Sequence, residues 1–176
     1  VKDLVLDLGQ AKYTKNDMEL IAFAIGENPV GTCGFKVLNL TKSPFAKEGA
    51  KLLAPALALN KSIQHLDLSS TKIGVSGIVR ISEALQKNSN LKSLNLYRNI
   101  LDVDGARAIG DLLKVNSTIE FLDVGHNRIR QTGLKAICDG ILANPKSKLS
   151  QLAIRANFIN DKGIQDLFDN LVINKK

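Results

Sequence analysis

His65, Asp67 and Ser69 alternate along one face of a predicted strand, and they are the residue types from which a base, an orienting acid and a nucleophile are assembled. Same-face neighbours on a strand stand about 7 Å apart, beyond hydrogen-bond reach for most rotamers. The trio is therefore read as strand surface. Asp102-Val103-Asp104-Gly105 matches the opening of a calcium loop, yet the third acidic ligand and the distal Glu are missing. Sequons at Asn39, Asn60 and Asn116 would mark glycosylation in a secreted chain. There is no Walker loop, no dinucleotide fingerprint and no metal-spaced set of His and Cys. The reading is of no enzyme, no cofactor and no metal.

A different chemistry lies in charged and aromatic residues that recur at similar spacing. Asp7, Asn39, Asp67, Asn95, Asp123 and Ala153 occupy one strand position, an alternating row of acid and amide. Lys12, Lys42, Lys72, Arg98, Arg128 and Arg155 follow at the strand ends, a basic rim beside that floor. Within it fall His65, Tyr97, Phe121, His126 and Phe158, types that anchor interfaces when exposed. The candidate contact set is His65, Asp67, Asn95, Tyr97, Arg98, Phe121, Asp123, His126 and Arg155.

The net charge of +7, from 24 Lys and Arg against 17 Asp and Glu, raises the question of nucleic acid. Phosphate tracking needs an uninterrupted positive surface. Asp67 and Asp123 interrupt the groove floor, and Glu83, Asp111, Asp139 and Asp169 make an acidic row on the helices. A protein ligand with a patterned charged surface fits better.

These residues need elements to position them, and the chain supplies one unit over and over. Ile63, Leu66, Leu68, Ile73, Gly77, Ile81, Leu85 and Asn88 define a template that recurs at 35–62, 91–118, 119–148 and 149–176, with a looser copy at about 1–34. In that first copy Asp17 stands where the others have Gly. Each copy starts with period-two alternation, as at Leu94 and Leu96, then shifts to the three-and-four spacing of a helix. Strands pair about 4.8 Å apart whereas helices pack about 8–10 Å apart, so stacked units must curve, strands inside. The 26 Leu among 176 residues supply thin aliphatic coils.

The run Leu-x-x-Leu-x-Leu-x-x-Asn-x-Ile resembles the leucine-rich repeat signature, and the 28-residue period with a full helix is similar to the ribonuclease-inhibitor-like class. The resemblance implies an α/β fold: a right-handed solenoid, or horseshoe, with a parallel concave sheet and convex helices. That class also includes Ran GTPase-activating proteins, immune-receptor repeats and actin-regulator repeats. A binding module with a protein ligand on its concave face is the expectation. The alternatives are a GTPase-activating regulatory domain, or a structural or autoinhibitory segment of a larger protein.

Within the repeat, Asn99, Asn127 and Asn157 are expected to satisfy orphaned backbone groups, with Ser43 and Thr71 as weaker substitutes. Gly77, Gly105 and Gly133 are expected to allow close helix approach. The Asn at each helix end, from Asn28 through Asn174, is expected to be a left-handed C-cap. Cys33 and Cys138 fall in copies too distant to pair, Cys138 on an inner helix face, and the absence of cysteine-rich caps points to an intracellular, cytoplasmic home. The longest apolar runs fall short of the roughly 20 residues of a membrane span. Phe23 and Pro55, with Leu52, Ala58 and Leu59, make an apolar patch at the first coils, read as covered by a preceding segment of a longer chain that begins before Val1.

Overall fold

The computed structural model describes residues 4–26, 34–43 and 46–165, apart from the side chains of residues 46 and 47. Strands and helices alternate in the order β1 (Leu4–Asp7), α1 (Lys15–Gly26), β2 (Phe35–Asn39), α2 (Ala46–Leu59), β3 (His65–Asp67), α3 (Gly74–Lys87), β4 (Ser93–Asn95), α4 (Val103–Val115), β5 (Phe121–Asp123), α5 (Arg130–Ala143) and β6 (Gln151–Ala153). Residues 161–165 are helical again. The six strands form one parallel sheet in chain order, and each helix packs against the next along the chain. This is the open solenoid of strand and helix that the period-two and period-four patterns predict.

The register places equivalent residues side by side. His65, Ser93, Phe121 and Gln151 are partners across β3 to β6, and so are Asp67, Asn95, Asp123 and Ala153. The register-matched Leu of β2 to β5, Leu38, Leu66, Leu94 and Leu122, turns inward and is buried, while Leu6 in β1 and Leu152 in β6 are partly buried. Helix residues such as Leu57, Leu85 and Leu113 meet them in one continuous aliphatic core. Gly133 lets α5 close on α4, since a Cβ there would lie 2.7 Å from that of Ala106.

Two ladders of asparagine tie the coils together. In the loop after the strand, Asn127 accepts at Oδ1 from the N–H of Asn99 (2.9 Å) and of Leu101 (3.0 Å), and donates from Nδ2 to the carbonyls of Leu96 and Val124. Asn99 serves Thr71 and Leu68 in the same way. Toward the first coil the hydroxyls of Thr71 and Ser43 make one carbonyl contact each.

The second ladder corrects the expectation for the helix ends. Asn88, Asn116 and Asn144 are C-caps in extended conformation, Asn88 at φ −85° and ψ 129°, and none is left-handed. Each amide instead donates two bonds to carbonyls of the preceding coil, Asn88 to Leu57 (2.7 Å) and Asn60 (3.0 Å). The side-chain oxygens of Asn88 and Asn116 accept from the N–H two and three positions ahead, as at Asn90 and Leu91, and that of Asn144 from the N–H two ahead. An extended backbone is what lets one side chain reach both directions. Asn28 and Asn174 lie outside the described residues. Asn60 and Asn116 are buried with their nitrogens engaged, so these two sequons are structural asparagines.

Local signals explain the helix starts. Thr14 and Asp17 form a reciprocal capping box at α1, which is why Asp17 replaces Gly there. Asp102, from the calcium-like run, is the N-cap of α4 and accepts from the N–H of Asp104 and Gly105.

Candidate functional site

The floor row is built by backbone geometry as much as by charge. Asp67, Asn95 and Asp123 each accept at Oδ1 from the N–H two positions on, at Ser69 (2.8 Å), Tyr97 (3.0 Å) and Gly125 (2.7 Å). These short turns carry the chain out of each strand and fix the residues that follow. Sideways, Asn95 Nδ2 donates to Asp67 Oδ2 at 2.9 Å, as Asn39 does to Asp7. Alternating amide with acid thus places a donor beside each of these carboxylates. Asp123 is only 7% exposed and faces Arg155, whose Nη2 lies 3.7 Å from its Oδ2.

Above this floor the loops after β4, β5 and β6 bring together a cluster of larger side chains. The rings of Tyr97 and His126 meet edge to face, centroids 4.9 Å apart. The Arg155 guanidinium lies 5.0 Å from the Tyr97 ring centroid, and that of Arg98 6.0 Å. Gly125 makes room for the cluster: a Cβ there would stand 2.9 Å from Asp123 Oδ1, 3.1 Å from Arg155 Cγ and 3.2 Å from Tyr97 Cδ2. His126 and Arg98 adopt left-handed backbone, φ 52° and 56°, held by bonds from their N–H to the carbonyls of Arg155 and Gly125.

Of the nine candidates, Tyr97, Arg98, Asp123, His126 and Arg155 therefore form one group. Asp67 and Asn95 adjoin it as a bonded pair, and Phe121 and His65 belong to the neighbouring row of the sheet, two strands or about 10 Å apart. His65 does not share Ser69: that hydroxyl partners Thr41 at 3.3 Å, and Asp67 is engaged by Ser69 N–H and Asn95. Ile100, Arg130 and Phe158 were missing from the candidate set, although all are exposed beside it. Nothing in their residue types signals the left-handed backbone that turns them outward.

On the helices Arg107 pairs with Asp104 (2.7 Å), Lys114 with Asp111 (2.7 Å) and Lys135 with Asp139 (2.9 Å), so the exposed acids there are largely matched. Asp169 lies outside the described residues. Cys138 is buried among aliphatic side chains, and that burial pushes its thiol up to about 11. Among the described residues, no three His, Cys, Asp or Glu stand together as a metal site, and no helix is long and apolar enough to cross a membrane.

Residues 59–82, 87–110 and 115–138 match the family described as "Leucine Rich repeat". No curated protein matches the chain by sequence. Among solved structures, the actin-binding site 2 of leiomodin-1 is similar, with a TM-score of 0.60 and 24% identity over 78% of this chain and 80% of that one.

Proposed function

The chain is a leucine-rich repeat protein, and on that premise we propose that it binds a protein partner on the concave face, through the cluster around Tyr97. One observation carries the proposal. Tyr97, His126 and Arg155 come from three successive coils and pack on one another at the groove surface, over a floor whose Asp and Asn side chains are already bonded. Such a patch adds no visible support to the core, yet it is rigid, aromatic and cationic, the composition of an interface anchor. The pre-bonded floor supports recognition by shape and charge. The contact surface comprises Tyr97, Arg98, Asp123, His126 and Arg155, extended by Phe121, Asn95, Asp67 and His65 along the strands.

The structural relative named above is an actin-binding site, so purified actin is the first partner to test. Replacing Tyr97 and Phe121 together with Ala should abolish capture of the partner and leave the melting temperature within a few degrees of the parent. Unchanged capture would sink the proposal. A GTP hydrolysis assay with candidate GTPases separates this reading from a GTPase-activating one, which stimulated phosphate release would favour.

A further inference from the structure

The solenoid matches its cations unevenly. On the helices Lys15, Arg107, Lys114 and Lys135 each have a carboxylate partner. Arg98 and Arg128 in the loops after β4 and β5, and Arg130 at the start of α5, are all exposed, and among the described residues none has an ionic partner. They line two adjoining clefts that share Arg128 and Phe158 as a common wall, with Arg98 and Ile100 on one side and Arg130 on the other. Among the described residues, neither cleft is lined by a carboxylate. Phe158 is 77% exposed and Ile100 55%, so apolar surface stands open between the guanidinium groups.

The repeat itself fixes the backbone of this surface, as it does at Gln10, Lys42 and Ser70 in the earlier coils. The backbone beneath each arginine is pinned to a neighbouring coil: Arg98 N–H to Gly125 O (3.0 Å), Arg128 to Leu101 O (2.7 Å) and Arg130 to Asn157 O (3.0 Å). Arg98, Ile100, Arg130 and Phe158 also hold φ between 56° and 60°, where Gly or Asn would sit with less strain.

From this juxtaposition we infer a binding surface that adjoins the first and shares Arg98 with it: the two clefts take a carboxylate-rich segment of a partner protein, its acidic side chains on Arg98, Arg128 and Arg130 and an apolar side chain against Phe158 and Ile100. Guanidinium forks match carboxylates in pairs, and an apolar contact between them adds what charge alone does not. Nucleic acid fits less well, because three arginines with one open aromatic ring make too short a track for a phosphate backbone. The inference rests on the protein being a binding module, but not on use of the concave face.

The test is fluorescence anisotropy with a short labelled peptide in which glutamates flank a leucine, its glutamine counterpart, and an oligothymidylate. The glutamate peptide should bind at low salt, and the Arg128→Glu, Arg130→Glu variant should weaken it about tenfold or more. Phe158→Ala should weaken it by a smaller factor, and added salt should weaken it progressively. Equal binding of the glutamine peptide, tighter binding of the oligothymidylate, or unchanged affinity in the double variant would overturn the inference. Capture through the concave face is read separately by the Tyr97→Ala, Phe121→Ala variant, so either reading can fail and leave the other standing.

Discussion

The side-chain oxygen of Asn127 accepts a hydrogen bond from the backbone N–H of Asn99, 28 positions earlier, at 2.9 Å. One amide thus closes backbone valences in two coils, because its nitrogen also reaches Leu96 and Val124. Within a stack whose coils touch only their neighbours, such residues carry the coupling between units.

Asn127→Ala would leave several buried donors and acceptors without partners. At about 1–3 kcal/mol for each such group, partly relieved by relaxation, the expected loss is about 3 kcal/mol or more in urea unfolding. Ser43→Ala removes the bond to Leu8 O and the contact with the Tyr13 hydroxyl, fewer buried groups than Asn127 serves, and should cost about 1 kcal/mol. Equal costs for the two would contradict the ladder as a graded device.

Much of this architecture is legible in the residues. The switch from Leu94 and Leu96 to the helical spacing of Ala106, Ile109 and Leu113 locates β4 and α4, and all five of these residues are buried. The helix-end asparagines are a different matter. An Asn at that position often takes a left-handed backbone, and only the coil stacked against it shows that Asn88 spends its amide on Leu57 and Asn60. The grouping of Tyr97, His126 and Arg155 is likewise hidden, because they come from three coils and His126 sits one step further along its loop than Tyr97 and Arg155 do. Types alone single out each of them without showing that they touch.

Ser82 is 2% exposed in α3, and among the described residues its hydroxyl is the buried side-chain oxygen without a partner. Ser82→Ala removes that desolvated hydroxyl and raises helix propensity, so it should stabilise by about 1 kcal/mol. A fall in the urea midpoint would show that the hydroxyl is satisfied.

Gly125→Ala should act on the site before the fold. The added methyl would press on Tyr97, Arg155 and the carboxylate of Asp123, displacing the cluster. Capture of the partner should fall about tenfold, with a stability loss of about 1–3 kcal/mol from overpacking. Full capture by a folded variant would separate binding from this cluster.

Burial raises the Cys138 thiol to about 11, so the folded protein holds its proton where the unfolded chain, near 9, releases it. The contribution of this thiol should therefore be constant below about pH 8.5 and decline between about pH 9 and 11, by up to roughly 2–3 kcal/mol. In a Cys33→Ser background a thiol reagent at pH 8 should react only as fast as the chain unfolds. Prompt reaction in the native state would show Cys138 to be open to solvent.

The concave-face account is tested most directly by site-specific photo-crosslinking, with a photoreactive side chain placed at Phe121 in one variant and at Asp111 on the outer helix in another. It predicts partner adducts from position 121 and none from position 111. Adducts from 111 with none from 121 would contradict it.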